Sequence, residues 1–122
     1  MNYTHLGISA FLMLAIDYIY LNLVSKHFNH QVSLVQGSPI QMNYVSAAIC
    51  YMMLYVAWYY FIIYKNASYV DALLLGALIY GIFETTNKAI LTKWNWDSVI
   101  IDTLWGGVLF ALLTYVMRTM IF

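Results

Sequence analysis

Four ionisable side chains fall within stretches of this chain that are otherwise hydrocarbon: Asp17, Glu84, Lys88 and Asp102. Acids and an ammonium in such places could exchange protons, pair with each other, or hold a cation or the basic part of a ligand. A carboxylate set without histidine would suit a hard ion. One unpaired charge at the centre of a membrane helix costs roughly 2.5–3.5 kcal/mol on insertion scales. Glu84 and Lys88, four positions apart, are expected to pair along one helix face. That leaves Asp17 and Asp102 to be neutralised by a proton, a cation or a ligand.

The elements that must position these groups are apolar helices. Of the 122 residues 64% are hydrophobic and 8% charged, against about 25% charged in a soluble domain, so lipid is expected to cover most of a single domain spanning 1–122. A spanning helix needs about 20 predominantly apolar residues, and four segments supply them: 6–24, 43–64, 70–91 and 98–121. None has the short alternating pattern of a barrel strand. The expected fold is all-α, an integral membrane four-helix bundle running up-down-up-down, because the connections 65–69 and 92–97 are too short for anything but antiparallel neighbours.

Residues 25–42, SKHFNHQVSLVQGSPIQM, read as the one long connection, with Gly37-Ser38-Pro39 turning the chain into the second helix. This loop is a candidate lid. Met1 to Leu6 has no basic run, so the first apolar segment is expected to remain as a span. Trp58, Tyr59, Tyr60, Trp94 and Trp96 sit near span ends, where amphipathic rings favour the headgroup level. Lys65 and Arg118 on the face bearing both ends of the chain balance Lys26 and Lys93 on the loop face, so the positive-inside rule chooses neither orientation.

Helix rise places the charges at matching depths. Asp17 and Glu84 each stand seven residues from the loop-face end of their span, about 10 Å deep, and Lys88 and Asp102 about 5–6 Å deep. On the third span Ala77, Gly81, Glu84 and Lys88 share a stripe, with Asn87 beside it. On the fourth, Asp102, Trp105, Gly106 and Leu109 do the same. Tyr44, Tyr51, Tyr55 and Tyr59 form a ladder on the second span, and Tyr18 and Tyr20 flank Asp17. Together they predict a polar pocket open toward the loop face, with Asp17, Glu84, Asn87, Lys88, Asp102 and Trp105 binding a ligand and Tyr20, Tyr51, Thr86 and Gly106 supporting them.

From Tyr80, the run YGIFETTNKAILTKWNWDSVIIDTLWGG resembles the signature of the domain of unknown function 2177 family of small four-helix membrane proteins. The likeness rests on Glu84, Thr86, Asn87, Trp94, Asp102, Trp105 and Gly106, and on Asp17, Tyr20 and Leu21 in the first span. Two positions depart from the family pattern: Glu84 stands in place of aspartate, and Lys88 in place of an apolar residue. The resemblance implies a fold and a motif, with no activity attached.

The balance of charge has no Lys/Arg cluster to track a phosphate backbone, so nucleic acid is not an expected partner; membrane lipids are. Cys50, alone, makes no internal disulfide. His27 and His30 lack a third ligand, and no metal site or cofactor is expected. The favoured reading is an acidic pocket for a small polar or cationic ligand, a lipid headgroup among them. A proton- or cation-coupled carrier or channel subunit is the alternative; it would need a homo-oligomer, for which Ala72, Gly76 and Gly107 offer small-residue contacts. A structural or assembly role in a membrane, a viral one included, is the third. Catalysis is favoured least, there being no nucleophile–base pair.

Overall fold

The computed structural model describes residues 2–122, and these are helical over most of their length. Helix α1 spans Tyr3–Gln36, α2 Tyr44–Trp58 with a π-helical continuation Tyr59–Tyr64, α3 Tyr69–Ile90, and α4 Trp96–Val116 with a π-helical end Met117–Ile121. All four are long and apolar enough to cross a membrane, and no strand occurs among the described residues. Each start is set by a short polar side chain that accepts an otherwise orphaned amide: Asn2 from His5, Asn43 from Ser46, Ser68 from Asp71 and Asn95 from Ser98, at 2.8–3.1 Å. The rings of His5 and Phe122, near opposite ends of the chain, lie 5.1 Å apart, as an up-down-up-down course requires.

The long connection expected between the first two spans is mostly helix. Between Ser25 and Gln36 there is no glycine or proline to stop α1, and it continues until Gly37 terminates it in the left-handed conformation, φ 76°. At 34 residues α1 measures about 50 Å, well beyond a hydrocarbon core of about 30 Å. Residues 37–43 return alongside this projection, and the Ile40 amide donates to Asn29 Oδ1 at 3.1 Å.

α3 and α4 pack most closely. A Cβ on Gly76 would collide with the Gly106 carbonyl, and one on Gly107 would stand 2.9 Å from the Leu73 carbonyl; small residues let the two backbones touch, as lipid-embedded helices require in place of a hydrophobic driving force. Gly76 and Gly107 are thus taken up within this pair, and Ala72 is fully buried in the core, so the three are not free for contacts between copies. The core fills the half of the bundle nearer the two ends of the chain, the terminal half: Met13, Trp58, Ile62, Leu109, Phe110, Leu113 and Met117 are each at most 2% exposed. There Trp58 donates its indole N–H to Thr114 Oγ1 at 3.0 Å, and Ser9 bonds the Tyr55 hydroxyl at 2.8 Å.

Candidate functional site

In the other half of the bundle the aromatic donors turn toward acids. Asp17, on α1, accepts from the Trp105 indole at 2.8 Å through one oxygen and from the Tyr51 hydroxyl through the other. Asp102, on α4, accepts from the Tyr20 hydroxyl at 2.9 Å, and Tyr20 stacks flat on Trp105, ring centroids 4.4 Å apart. The two aspartates are therefore bracketed by one aromatic pair, each ring reaching across to the acid on the other's helix. Glu84 accepts from the Trp94 indole at 2.7 Å and has Asp102 as its acidic neighbour. Asp17 and Glu84 are 4% and 0% exposed. The second Glu84 oxygen, Oε1, is buried and has no hydrogen-bond donor among the described residues.

The matching depths read from helix rise thus converge in space, and five elements take part: α1 through Asp17 and Tyr20, α2 through Tyr51, α3 through Glu84, α4 through Asp102 and Trp105, and the α3–α4 turn through Trp94. Beside this network is a cleft of about 480 Å³. Asp17, Tyr20, Tyr51, Tyr80 and Asp102 line its polar part; Leu21, Met42, Ala47, Cys50, Leu54, Ile79 and Phe83 line the rest. It exists because α2 packs sparingly against α1 and α3. Leu21, Met42, Cys50 and Phe83 stand exposed on the bundle surface, so the apolar part of the cleft faces lipid.

Several expected site residues lie elsewhere. Lys88 does not pair with Glu84; its ammonium sits over the Trp96 ring, 5.7 Å from the centroid, while Glu84 turns inward to Trp94. Positions four apart place two side chains on one stripe, but Glu84 is drawn to the buried donor and the longer lysine reaches toward the surface. Thr86 is exposed, its hydroxyl donating to the Ile82 carbonyl of its own helix at 2.6 Å. Gly106 is buried at the α3–α4 contact beneath Tyr80. Asn87 is half-buried, its carbonyl accepting the Leu91 amide that closes α3. The expected lid is replaced by the α1 projection, although Met42, on the returning segment, does line the cleft.

Two participants, Tyr80 and Gln31, are not singled out by the sequence, and two tryptophans lie deeper than their position suggests. Trp94 and Trp58, placed at the headgroup level by their position, are buried at 6% and 0% exposure because each N–H has an interior acceptor. Tyr80 lies four residues before Glu84, on the same helical stripe, which was the available signal. Gln31, on the α1 projection, is 1% exposed; it donates to the Lys93 carbonyl at 2.5 Å and accepts from the Asn95 amide and the Ser98 hydroxyl at 3.0 and 2.9 Å. His27 adds a bond to Ser98 Oγ at 2.9 Å. These contacts tie α1 to the α3–α4 turn and so hold Trp94 over Glu84; nothing in the polar run around Gln31 marks it.

Four apolar spans enclosing a shared set of carboxyls define a multi-pass membrane protein. The chain belongs to the family described as predicted membrane protein (DUF2177), whose model matches residues 3–119. No curated protein and no solved structure matches it.

Proposed function

We propose that the protein binds a small polar or cationic ligand, a lipid headgroup being one such, in the cleft beside Asp17 and Asp102. What supports this reading is an imbalance of charge: three acids meet within the bundle, and the one lysine near them, Lys88, faces Trp96. Interhelical hydrogen bonds average only about 0.6 kcal/mol, so neutral partners of the kind found in the terminal half would serve the fold as well as acids do. A cationic group in the cleft supplies the missing charge. Tyr20, Tyr51 and Trp105 hold the aspartates in place, leaving the ligand to meet acids that need no rearrangement.

Thermal unfolding in mild detergent against a panel of amines, inorganic cations and lipids tests this. A ligand bound only by the folded protein stabilises it by RT ln(1 + [L]/Kd), about 2.7 kcal/mol at a hundredfold excess over Kd. A cationic ligand is expected to raise the melting temperature of the wild type and not of Asp102→Asn. Equal shifts in both, or none in either, would overturn the reading.

A further inference from the structure

Resting on that reading, we infer that the ligand is a membrane-dissolved amphiphile with a protonated amine head, which enters the cleft sideways from the lipid. The head lies against Asp17 and Asp102; the chain passes out over Ala47, Cys50 and Phe83.

The route follows from what lines the cleft. Its outer part is formed by exposed Leu21, Met42, Cys50 and Phe83, none of which can replace the water of a hydrated ion, so a free ion crossing this mouth would be stripped without compensation. On the loop-face side, Trp94 and Gln31 are buried at 6% and 1% exposure within the α1, α3 and α4 contact. An amphiphile already in the bilayer keeps its chain in hydrocarbon throughout and moves only its head, about 10 Å below the loop face on helix-rise reckoning.

The head chemistry follows from charge and donors. Asp17 and Asp102 line the cleft with no ammonium or guanidinium among the described residues bonded to them, and the donors they do have, Tyr51, Trp105 and Tyr20, are neutral. A primary ammonium offers one positive charge and three N–H donors in a compact head; a choline-type head offers the charge without donors, and a phosphate or carboxylate head would be repelled. With about 480 Å³, the cleft is of a size that binds small organic molecules, for which roughly 300–1,000 Å³ is usual.

The test uses the full chain in phosphatidylcholine nanodiscs, with tetradecylamine, propylamine and tetradecanol as probes and the melting temperature as the readout. The amine carries both head and chain, propylamine the head alone, and tetradecanol the chain alone. Tetradecylamine is expected to stabilise the wild type, and the other two probes not to. Asp102→Asn is expected to remove the shift. Ala47→Phe, which fills the apolar wall and leaves every acid in place, is expected to weaken the apparent affinity at least ~10-fold. Should Asp102→Asn fail to fold, Ala47→Phe carries the test. If propylamine works as well as tetradecylamine, with the Asp102→Asn effect kept and Ala47→Phe without effect, the cleft takes the head from water and the lateral route is overturned while the binding reading stands. If tetradecanol matches the amine, or no probe acts, both fall.

Discussion

The terminal and loop-facing halves of this bundle use the same aromatic residues and do different things with them. In the terminal half Trp58 and Tyr55 bond to the hydroxyls of Thr114 and Ser9, every partner is neutral, and the space between helices is filled by Met13, Ile62, Phe110 and Leu113. In the loop-facing half Trp105, Trp94, Tyr20 and Tyr51 bond to Asp17, Glu84 and Asp102, and a cleft remains beside them. In the terminal half the aromatic donors join helices through neutral partners. Acids where hydroxyls would hold the helices together, next to unfilled space, are what the proposal of a binding site in the loop-facing half rests on.

That contrast is broken most severely at the helix pair common to both halves. Gly76→Val puts a branched side chain where even a Cβ meets the Gly106 carbonyl and the Phe110 ring, and backbone cannot give way as a side chain can. A loss of about 3 kcal/mol or more is expected, seen as a collapsed melting temperature or as protein that cannot be recovered from detergent. A mild effect would mean that α3 and α4 have room to separate, and the division into a packed and an open half would lose its basis.

Two phenylalanines sharpen it next. Phe110, 0% exposed in the terminal half, leaves a closed cavity on truncation, so Phe110→Ala should cost about 3 kcal/mol. Phe83, 59% exposed on the cleft wall, has lipid or cleft on its free side, and Phe83→Ala should cost no more than about 0.5 kcal/mol. Comparable losses from the two, measured by the same unfolding assay, would show the cleft wall to be as tightly packed as the core.

Gln31→Ala tests the clamp above the acids. It removes three hydrogen bonds from a buried side chain, to the Lys93 carbonyl, the Asn95 amide and the Ser98 hydroxyl, and should cost about 1–2 kcal/mol. The loss should be local: amide exchange across residues 26–36 is expected to quicken while that of α4 around Phe110 does not change. Uniform acceleration would place the clamp on the global unfolding path instead.

How much of this was legible in the sequence depends on whether the residue's role follows from its own helix. The four spans and the convergence of Asp17, Glu84 and Asp102 follow from apolar run length and helix rise, and both are found. The failures share a cause: each turns on a partner from another element. Spacing alone matches Lys88 to Glu84, but the Trp94 indole, ten residues on, takes the glutamate. Sequence position puts Trp58 and Trp94 at the headgroup level, although Thr114 and Glu84 offer interior acceptors that no local pattern reveals. The polarity of residues 25–36 suggests a loop; without a glycine or proline before Gly37 nothing stops the helix, and contacts from Gln31 and His27 to the α3–α4 turn hold it. Polarity predicted departure from the membrane there, which is a different thing from departure from the helix.

The smallest expected effect bears most directly on why acids are present. Asp17→Asn preserves shape and removes charge. Asp17 accepts from two donors, one on each oxygen, whereas asparagine has one accepting oxygen and one donating nitrogen. The indole of Trp105 can only donate, so the remaining oxygen must face it; the amide nitrogen then faces Tyr51, whose hydroxyl can rotate to accept. Both contacts survive with their polarity rearranged, and the stability change should stay within about 0.6 kcal/mol, the average for an interhelical hydrogen bond. Thr114→Val, which removes the neutral bond to Trp58 without changing side-chain size, should cost a similar amount. The two variants then differ only in ligand response: stabilisation by a cationic probe is lost in Asp17→Asn and kept in Thr114→Val. If Asp17→Asn instead costs well over 2 kcal/mol while probe stabilisation persists, the charge on Asp17 serves the fold, and the two halves differ in the strength of their hydrogen bonds and not in purpose.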